Sequence, residues 1–337
     1  MIESVLETLS GGCDLSMDEM TRSMDAIMSG SCSDSEISSF LLGLNAKGET
    51  VDEVAGAAQA MRRHMQPIRS QREGLLDTCG TGGGGARTFN ISTAAAFVVA
   101  AAGVPVAKHG NRAVTSQSGS SDVLSELGVN LMAIPEQMEK CLEELGICFC
   151  FAPLMHPAMK HVAGVRKQLG VRTIFNLIGP LCNPAGASYQ LLGVGRPELR
   201  TLLAQALARL GTQRAVVVHG EKIMDEVSLM GVTEATEVGS GGLHEFTWHP
   251  QDFGMQPCEL QDLVVEGPGQ SAKILRGIFG GDRGPARDIV VVNAAAALWT
   301  AHHRDSLEEC LKSATSVLDD GHAGEILERF IELSNAC

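Results

Sequence analysis

Residues 75–93 read Leu75-Leu76-Asp77-Thr78-Cys79-Gly80-Thr81-Gly82-Gly83-Gly84-Gly85-Ala86-Arg87-Thr88-Phe89-Asn90-Ile91-Ser92-Thr93. A short apolar strand runs into four consecutive glycines, and a polar return then leads into an alanine-rich helix. Glycine carries no Cβ, so successive backbone N–H groups can converge on an anion, and the start of the following helix adds partial positive charge. Further along, Lys108-His109-Gly110-Asn111 and Ser116-Gln117-Ser118-Gly119-Ser120 stand close behind the next predicted strand. They add a cation, amide donors and hydroxyls. Up to Asp122 the chain has the parts of a cradle for a highly phosphorylated small molecule.

On either side of this block the hydrophobic period changes. Residues 1–66 read as all helix, because capping boxes recur at Ser16 with Glu19, Ser33 with Glu36 and Thr50 with Glu53, each opening a helix-period apolar stripe. A first helix at Ile2 to Leu9 makes four. Helices this short bury little alone, so they are expected to pack on the rest of the chain or on a second copy. Pro67 and the polar run Arg69 to Glu73 mark a hinge. Beyond it, candidate strands at Leu75 to Cys79, Val104 to Lys108, Ile147 to Phe151, Gln190 to Val194 and Ala215 to His219 alternate with helices. The closing helices are expected at Asp288 to Ala301, Ser306 to Leu318 and His322 to Leu333. The fold class is therefore α/β: a small N-terminal all-helical domain (1–66, joined in space by helices near 156–185) and a larger domain (72–337) with a mostly parallel sheet flanked by helices. Ligands to such sheets bind at the carboxyl ends of strands, where the Gly80 and Lys108 segments fall.

The totals exclude several classes. The 337 residues carry a formal charge of −14, against broad nucleic-acid binding or an anionic membrane surface. Two Trp and one Tyr leave no aromatic platform for single strands. No apolar run approaches a membrane helix, no basic leader opens the chain, and ten scattered cysteines without a CxxC pair read as reduced thiols, so a cytoplasmic location is expected.

Single motifs are weaker. Gly80 to Gly85 formally matches GxGxxG, but a dinucleotide site opens its helix at once and places an acidic residue about 20 positions on, a region that here holds Lys108. Walker A fails because Ala86-Arg87 stands where Lys-Ser/Thr is required. Asp225-Glu226, a few residues past a predicted strand, suits Mg²⁺, although such a pair on a loop is more often simply solvated. His156 begins a helix that reaches Arg166, which becomes a carboxylate clamp if that helix faces the cleft. His156 and His161 lack zinc spacing, and no nucleophile elbow appears.

Taken together, Gly80-Thr81-Gly82-Gly83, Asn90-Ile91-Ser92-Thr93, Lys108-His109-Gly110-Asn111, Ser118-Gly119-Ser120, the Arg166 helix, Gly179-Pro180-Leu181 with Asn183-Pro184, and Asp225-Glu226 closely resemble the anthranilate phosphoribosyltransferase family over nearly the whole chain. The resemblance implies transfer of the phosphoribosyl group of phosphoribosyl pyrophosphate to anthranilate, with Mg²⁺ as cofactor, in a homodimer joined through the helical domains. It implies that Gly80, Gly83, Gly84, Thr88, Asn90, Ile91, Ser92, Thr93, Lys108 and Ser120 hold the phosphoribosyl donor. Ser92, Asp225 and Glu226 would bind the metal. Gly80, His109, Asn111, Arg166 and Gly179 would receive anthranilate, with Arg166 on its carboxylate. Lys108 would give electrostatic support, and no general base is assigned. One departure is Gly84, where the family has Asp. Two rivals stay open: a pyrimidine-nucleoside phosphorylase of related fold, and a non-catalytic paralogue that binds nucleic acid.

Overall fold

The computed structural model describes residues 2–82, 85–113, 117–221 and 224–336. The chain opens with α1 (Ile2–Ser10), α2 (Met17–Met28), α3 (Asp34–Lys47) and α4 (Val51–Arg63). All three predicted capping boxes form, so Ser16, Ser33 and Thr50 each accept the N3 backbone N–H while the partner Glu reaches back. Each cap contributes about 1 kcal/mol. Glu53 does more than cap: its sealed carboxylate also accepts Leu15 N–H at 2.9 Å and pairs with Lys47 Nζ at 2.7 Å.

The larger part follows as β1 (Leu76–Gly80), α5 (Ile91–Ala101), β2 (Val106–Gly110), α6 (Ser120–Leu127), α7 (Pro135–Leu145), β3 (Ile147–Phe151), α8 (Ala152–Met155), α9 (Lys160–Leu169) and α10 (Phe175–Ile178). It continues with β4 (Tyr189–Gly193), α11 (Glu198–Arg209), β5 (Arg214–Gly220), β6 (Thr233–Gly239), β7 (Gly242–Trp248), α12 (Pro268–Phe279), α13 (Pro285–Thr300), α14 (Leu307–Asp319) and α15 (His322–Asn335). The sheet order is β3-β2-β1-β4-β5-β6-β7; the first five strands are parallel and the last two antiparallel. The chain steps outward from β1 through β2 to β3, then returns to the other side of β1 with β4. That places the topological switch point between β1 and β4, beneath the glycine loop.

Strand periodicity divides the core. Leu191, Val216 and Val218 face α5 and α13, where Phe97 packs edge-on against Phe279 and Phe330 at 6.0 and 5.9 Å. Leu192, Ala215 and Val217 face the other way. There the apolar layer runs without a break through Leu203 and Leu207 of α11 into Val54, Ala58 and Met61 of α4 and Val162 and Val165 of α9. The N-terminal helices thus pack on the rest of the chain.

Several expectations need correction. The five parallel strands lie within two residues of their predicted bounds, but the β6–β7 hairpin and α12 were not anticipated. β7 is largely exposed and carries His244 and Glu245, so it lacks the apolar alternation of a half-buried strand. His156 does not begin a helix: it closes α8, a 3₁₀ turn at Pro157–Met159 intervenes, and α9 starts at Lys160. Pro157 disfavours helical backbone at the residue before it. The polar connector after Pro67 is pinned to α7, with Arg69 N–H on Glu139 at 2.7 Å and Gln71 N–H on Glu143 at 2.8 Å. No helix among the described residues is long and apolar enough to cross a membrane.

Glu53→Ala should destabilise the protein by about 3–5 kcal/mol, because Lys47 and two backbone donors lose their shared acceptor. A shift in the urea midpoint worth less than ~1 kcal/mol would contradict this account of the N-terminal helices.

Candidate active site

The carboxyl ends of β1, β2, β4 and β5 build the site. β1 ends at Gly80, whose position is fixed by its neighbour: a Cβ there would stand 2.7 Å from Asp225 Oδ2. On β4, a Cβ at Gly193 would run into the Asp225 carbonyl oxygen. The loop after β5 can therefore lie against the sheet edge only because both strands end in glycine. Asp225 Oδ2 also accepts Gly82 N–H at 3.2 Å, tying the acidic loop to the glycine loop. Gly83 and Gly84, expected on the donor, lie outside the described residues, as does Ser116.

Lys108 leaves β2 and is buried. Its Nζ donates to the Thr78 carbonyl and, at 3.3 Å, to Ser92 Oγ in the first turn of α5. Thr78 Oγ1 donates to the Ser92 carbonyl at 3.1 Å, so β1 and the start of α5 are locked together. Burial pushes the Lys108 ammonium below the usual lysine range, while Asp77, Glu226 and Asp225 draw it back up.

Asp225 and Glu226 depart from the solvated-pair expectation. As residues they are half-buried, but Glu226 Oε2 is sealed from solvent and has no hydrogen-bond partner among the described residues. Burial, then the Asp225 charge, hold the Glu226 carboxyl well above the usual range, and burial raises Asp225 too. A cavity of about 10 Å³, near the size of one water-sized sphere, is lined by Thr78, Ser92, Gly193, Asp225, Glu226 and Asn293. The predicted metal residues Ser92, Asp225 and Glu226 are thus brought together. Two carboxylates, one of them with an orphaned oxygen, and one hydroxyl fit Mg²⁺, which takes few protein oxygens and completes its shell with water and phosphate. No group of three His, Cys, Asp or Glu able to hold a metal occurs among the described residues.

Around this centre, Asn90 precedes α5 and makes no cap bond. Its side chain instead donates to the Ser118 carbonyl at 3.1 Å and accepts Ser118 Oγ at 2.6 Å and Ser271 Oγ at 2.8 Å. Ile91 is buried, and Thr93 Oγ1 and Ser121 Oγ, at the starts of α5 and α6, are buried without partners. Ser120 Oγ reaches the Asn111 carbonyl at 3.4 Å. Thr88 is drawn instead into a bridge with Val264.

A second lobe carries the residues expected on anthranilate. His109 and His156 face each other through Nε2 at 3.1 Å. Burial lowers His109 to about 3 and His156 to about 4. The turn beside them is pinned at two successive carbonyls: Pro180 by Gln190 Nε2 at 2.6 Å, and Leu181 by Arg62 Nε at 2.7 Å. Asn183 Nδ2 then bonds the sealed Asp77 carboxylate at 2.8 Å, and Asp77 also accepts His109 N–H at 3.0 Å. Arg166 is half-buried over the Phe175 ring, 5.2 Å from its centroid, and makes no ion pair or hydrogen bond through its side chain with any described residue. Asn111 is exposed at the end of β2 and, like Arg166, has no contact with the acidic pair.

Two family descriptions match this chain: "Glycosyl transferase family, helical bundle domain" over residues 3–65 and "Glycosyl transferase family, a/b domain" over residues 72–324. An anthranilate phosphoribosyltransferase of Rhodopirellula baltica is 48% identical over 322 residues, covering 96% of this chain and 94% of its own. The chain belongs to the anthranilate phosphoribosyltransferase family. A second relative of that name, from Acetivibrio thermocellus, is 45% identical over 336 residues, covering 100% of this chain and 97% of its own. Among solved structures, the anthranilate phosphoribosyltransferase of Thermus thermophilus superposes with a TM-score of 0.92 at 43% identity, covering 98% of this chain and 99% of that one. The Saccharomyces cerevisiae anthranilate phosphoribosyltransferase, solved in complex with PRPP and Mg, gives 0.91 at 29% identity, covering 100% and 98%.

Sequence reasoning missed Asp77, Gln190, Ser121, Ser271 and Asn293. Asp77 gave a usable signal, since a carboxylate inside an apolar strand must be paired.

The histidine pair sets a pH dependence. Both pKa values lie below the ordinary 6.5, so the unfolded chain binds these protons first and stability is lost as pH falls from about 6.5 toward 4. Each contributes up to about 1.4 kcal/mol per pH unit. Asp77, Asp225 and Glu226 act with the opposite sign, so the test is a difference. His156→Gln should flatten the pH dependence of urea stability in EDTA between pH 6 and 4.5 by at least ~1 kcal/mol per unit; parallel curves would contradict the pairing.

Proposed function

We propose that the protein transfers the phosphoribosyl group of phosphoribosyl pyrophosphate to the amine of anthranilate, giving N-(5-phosphoribosyl)anthranilate and pyrophosphate, a step of tryptophan biosynthesis. The observation that carries this reading is the position of Ser92. Its hydroxyl lies 3.3 Å from Lys108 Nζ and lines the same small cavity as Asp225 and Glu226. A cation for phosphate and carboxylates for a metal therefore meet at one helix start, beside a glycine loop at the switch point of the sheet.

Each lobe has one task. In the first, Lys108 and the start of α5, both tied to Thr78, would hold the leaving pyrophosphate beside the glycine loop. When bound, Mg²⁺ supplies charge neutralisation at the phosphate oxygens. Ser92, Asp225 and Glu226 are the residues that would hold it. In the second lobe, Arg166 is the one half-buried guanidinium among the described residues held over a ring with its donors uncommitted, suited to a planar carboxylate. The Gly179 turn and the neutral His109–His156 pair would form the wall against the aromatic ring. The amine of anthranilate is neutral at pH 7 and needs no prior deprotonation, so alignment and leaving-group stabilisation suffice.

Purified protein with Mg²⁺, phosphoribosyl pyrophosphate and anthranilate should consume anthranilate, read as loss of its fluorescence, and Asp225→Ala should lower kcat/KM about 100-fold. Folded protein without turnover across a wide Mg²⁺ range would overturn the assignment. In the same assay Arg166→Ala should raise KM for anthranilate roughly 10- to 100-fold and leave that for the donor within about twofold. An equal rise for both substrates would remove Arg166 from the carboxylate.

A further inference from the structure

Asn293 sits in the middle of α13, 2% exposed, in a run that otherwise reads Ile289-Val290-Val291-Val292 before it and Ala294-Ala295-Ala296-Ala297-Leu298 after it. An amide in such a helix is costly unless bonded. Here its bonds go largely outside the helix. Oδ1 accepts Val227 N–H at 2.9 Å, and Nδ2 donates to the Val227 carbonyl at 2.9 Å and to the Ile289 carbonyl at 2.9 Å. One carboxamide thus pairs with both backbone groups of the residue directly after Glu226. Its donor and acceptor lie side by side, as on a neighbouring strand, a pairing that no aliphatic or carboxylate side chain offers.

The same side chain lines the small cavity with Ser92, Asp225 and Glu226. The acidic loop is held from three other directions. Gly80 and Gly193 give it room, Gly82 N–H bonds Asp225, and Ser228 N–H bonds Thr233 Oγ1 at 2.9 Å. These contacts act on Asp225 or beyond Val227, while Gly220 gives room to the Glu226 carbonyl, which a Cβ there would approach to 2.5 Å. Val227 itself, whose backbone sets the direction of Glu226, is held by Asn293 through both polar groups.

We infer that Asn293 is a positioning residue for the Asp225–Glu226 pair, fixing the loop so that both carboxylates present to one divalent cation. This rests on the proposed reading of that pair as the metal site. Residues that orient metal ligands typically govern metal affinity by about 10- to 100-fold. Asn293 touches neither substrate in this account, so its effect should appear in metal binding.

The test is Mn²⁺ binding in the presence of pyrophosphate, by isothermal titration calorimetry, on wild type, Asn293→Ala, Asn293→Ser, Thr300→Val and Asp225→Asn. Thr300→Val removes a buried hydroxyl of the same helix that bonds only the Ala296 carbonyl, and so reports loosening of α13 alone. Asn293→Ala should weaken Mn²⁺ binding about 10- to 100-fold and Thr300→Val by no more than about twofold. In metal-free protein, amide exchange at Val227 should speed up in Asn293→Ala and stay unchanged in Thr300→Val. Should Asn293→Ala fail to fold, Asn293→Ser, which keeps a small polar group but cannot pair with both Val227 groups, carries the same expectation. If Asp225→Asn loses Mn²⁺ while both Asn293 variants bind it like wild type, the positioning role is wrong and the metal reading stands. If Asp225→Asn also binds Mn²⁺ like wild type, the metal reading fails and the inference falls with it.

Discussion

A buried ammonium group organises this molecule. Sealing Lys108 from water costs several kcal/mol unless acceptors and opposite charge surround it, and the groups that meet the need come from β1, α5 and the loop after β5. Thr78 of β1 gives a carbonyl, Ser92 of α5 a hydroxyl, and Asp77, Asp225 and Glu226 an electric field. Strand β1 must therefore end beside the first turn of α5, and the loop after β5 must come back over the sheet edge. The acids are in turn buried and drawn upward in pKa, so lysine and carboxyls are stable in this arrangement only together. In the proposed reading, a doubly charged cation and a polyanion would complete the balance that the protein leaves open.

Backbone proximity is the second constraint. Gly80 and Gly193 are paired residues at the ends of adjacent parallel strands, and Asp225 lies against both. A side chain at either position would push the acidic loop off the sheet. The same logic extends to the other lobe, where the turn at 180–181 is held by its carbonyls from β4 and α4 at once. Because α4 belongs to the N-terminal helices and shares an apolar layer with α11, the helical part bears on the site through packing as well as through the connector after Pro67.

Much of this was readable in the sequence where the cause is local. A capping box spans four residues, a glycine loop behind an apolar strand spans ten, and the five parallel strands are short runs rich in apolar residues. These features carry their own physics. The hairpin β6–β7 escaped because its outer strand is exposed and held by backbone pairing to β6. Asp77 with Asn183, and Asn293 with Val227, join residues 106 and 66 positions apart, and no spacing rule encodes such bonds. Asp225-Glu226 was visible as a pair, but its burial follows from glycines on two other strands. Arg166 was visible as a charge on a mixed helix; only the ring of Phe175 beneath it distinguishes it from a surface arginine.

The central claim, that Asp225 and Glu226 with Ser92 form a metal site completed by the phosphoribosyl donor, is tested most directly by anomalous diffraction from crystals of the protein grown with Mn²⁺ and phosphoribosyl pyrophosphate. The account predicts an anomalous peak within coordination distance, about 2.0–2.3 Å, of a carboxylate oxygen of the Asp225–Glu226 pair and of donor phosphate oxygens. Donor bound with its manganese remote from both carboxylates would contradict it.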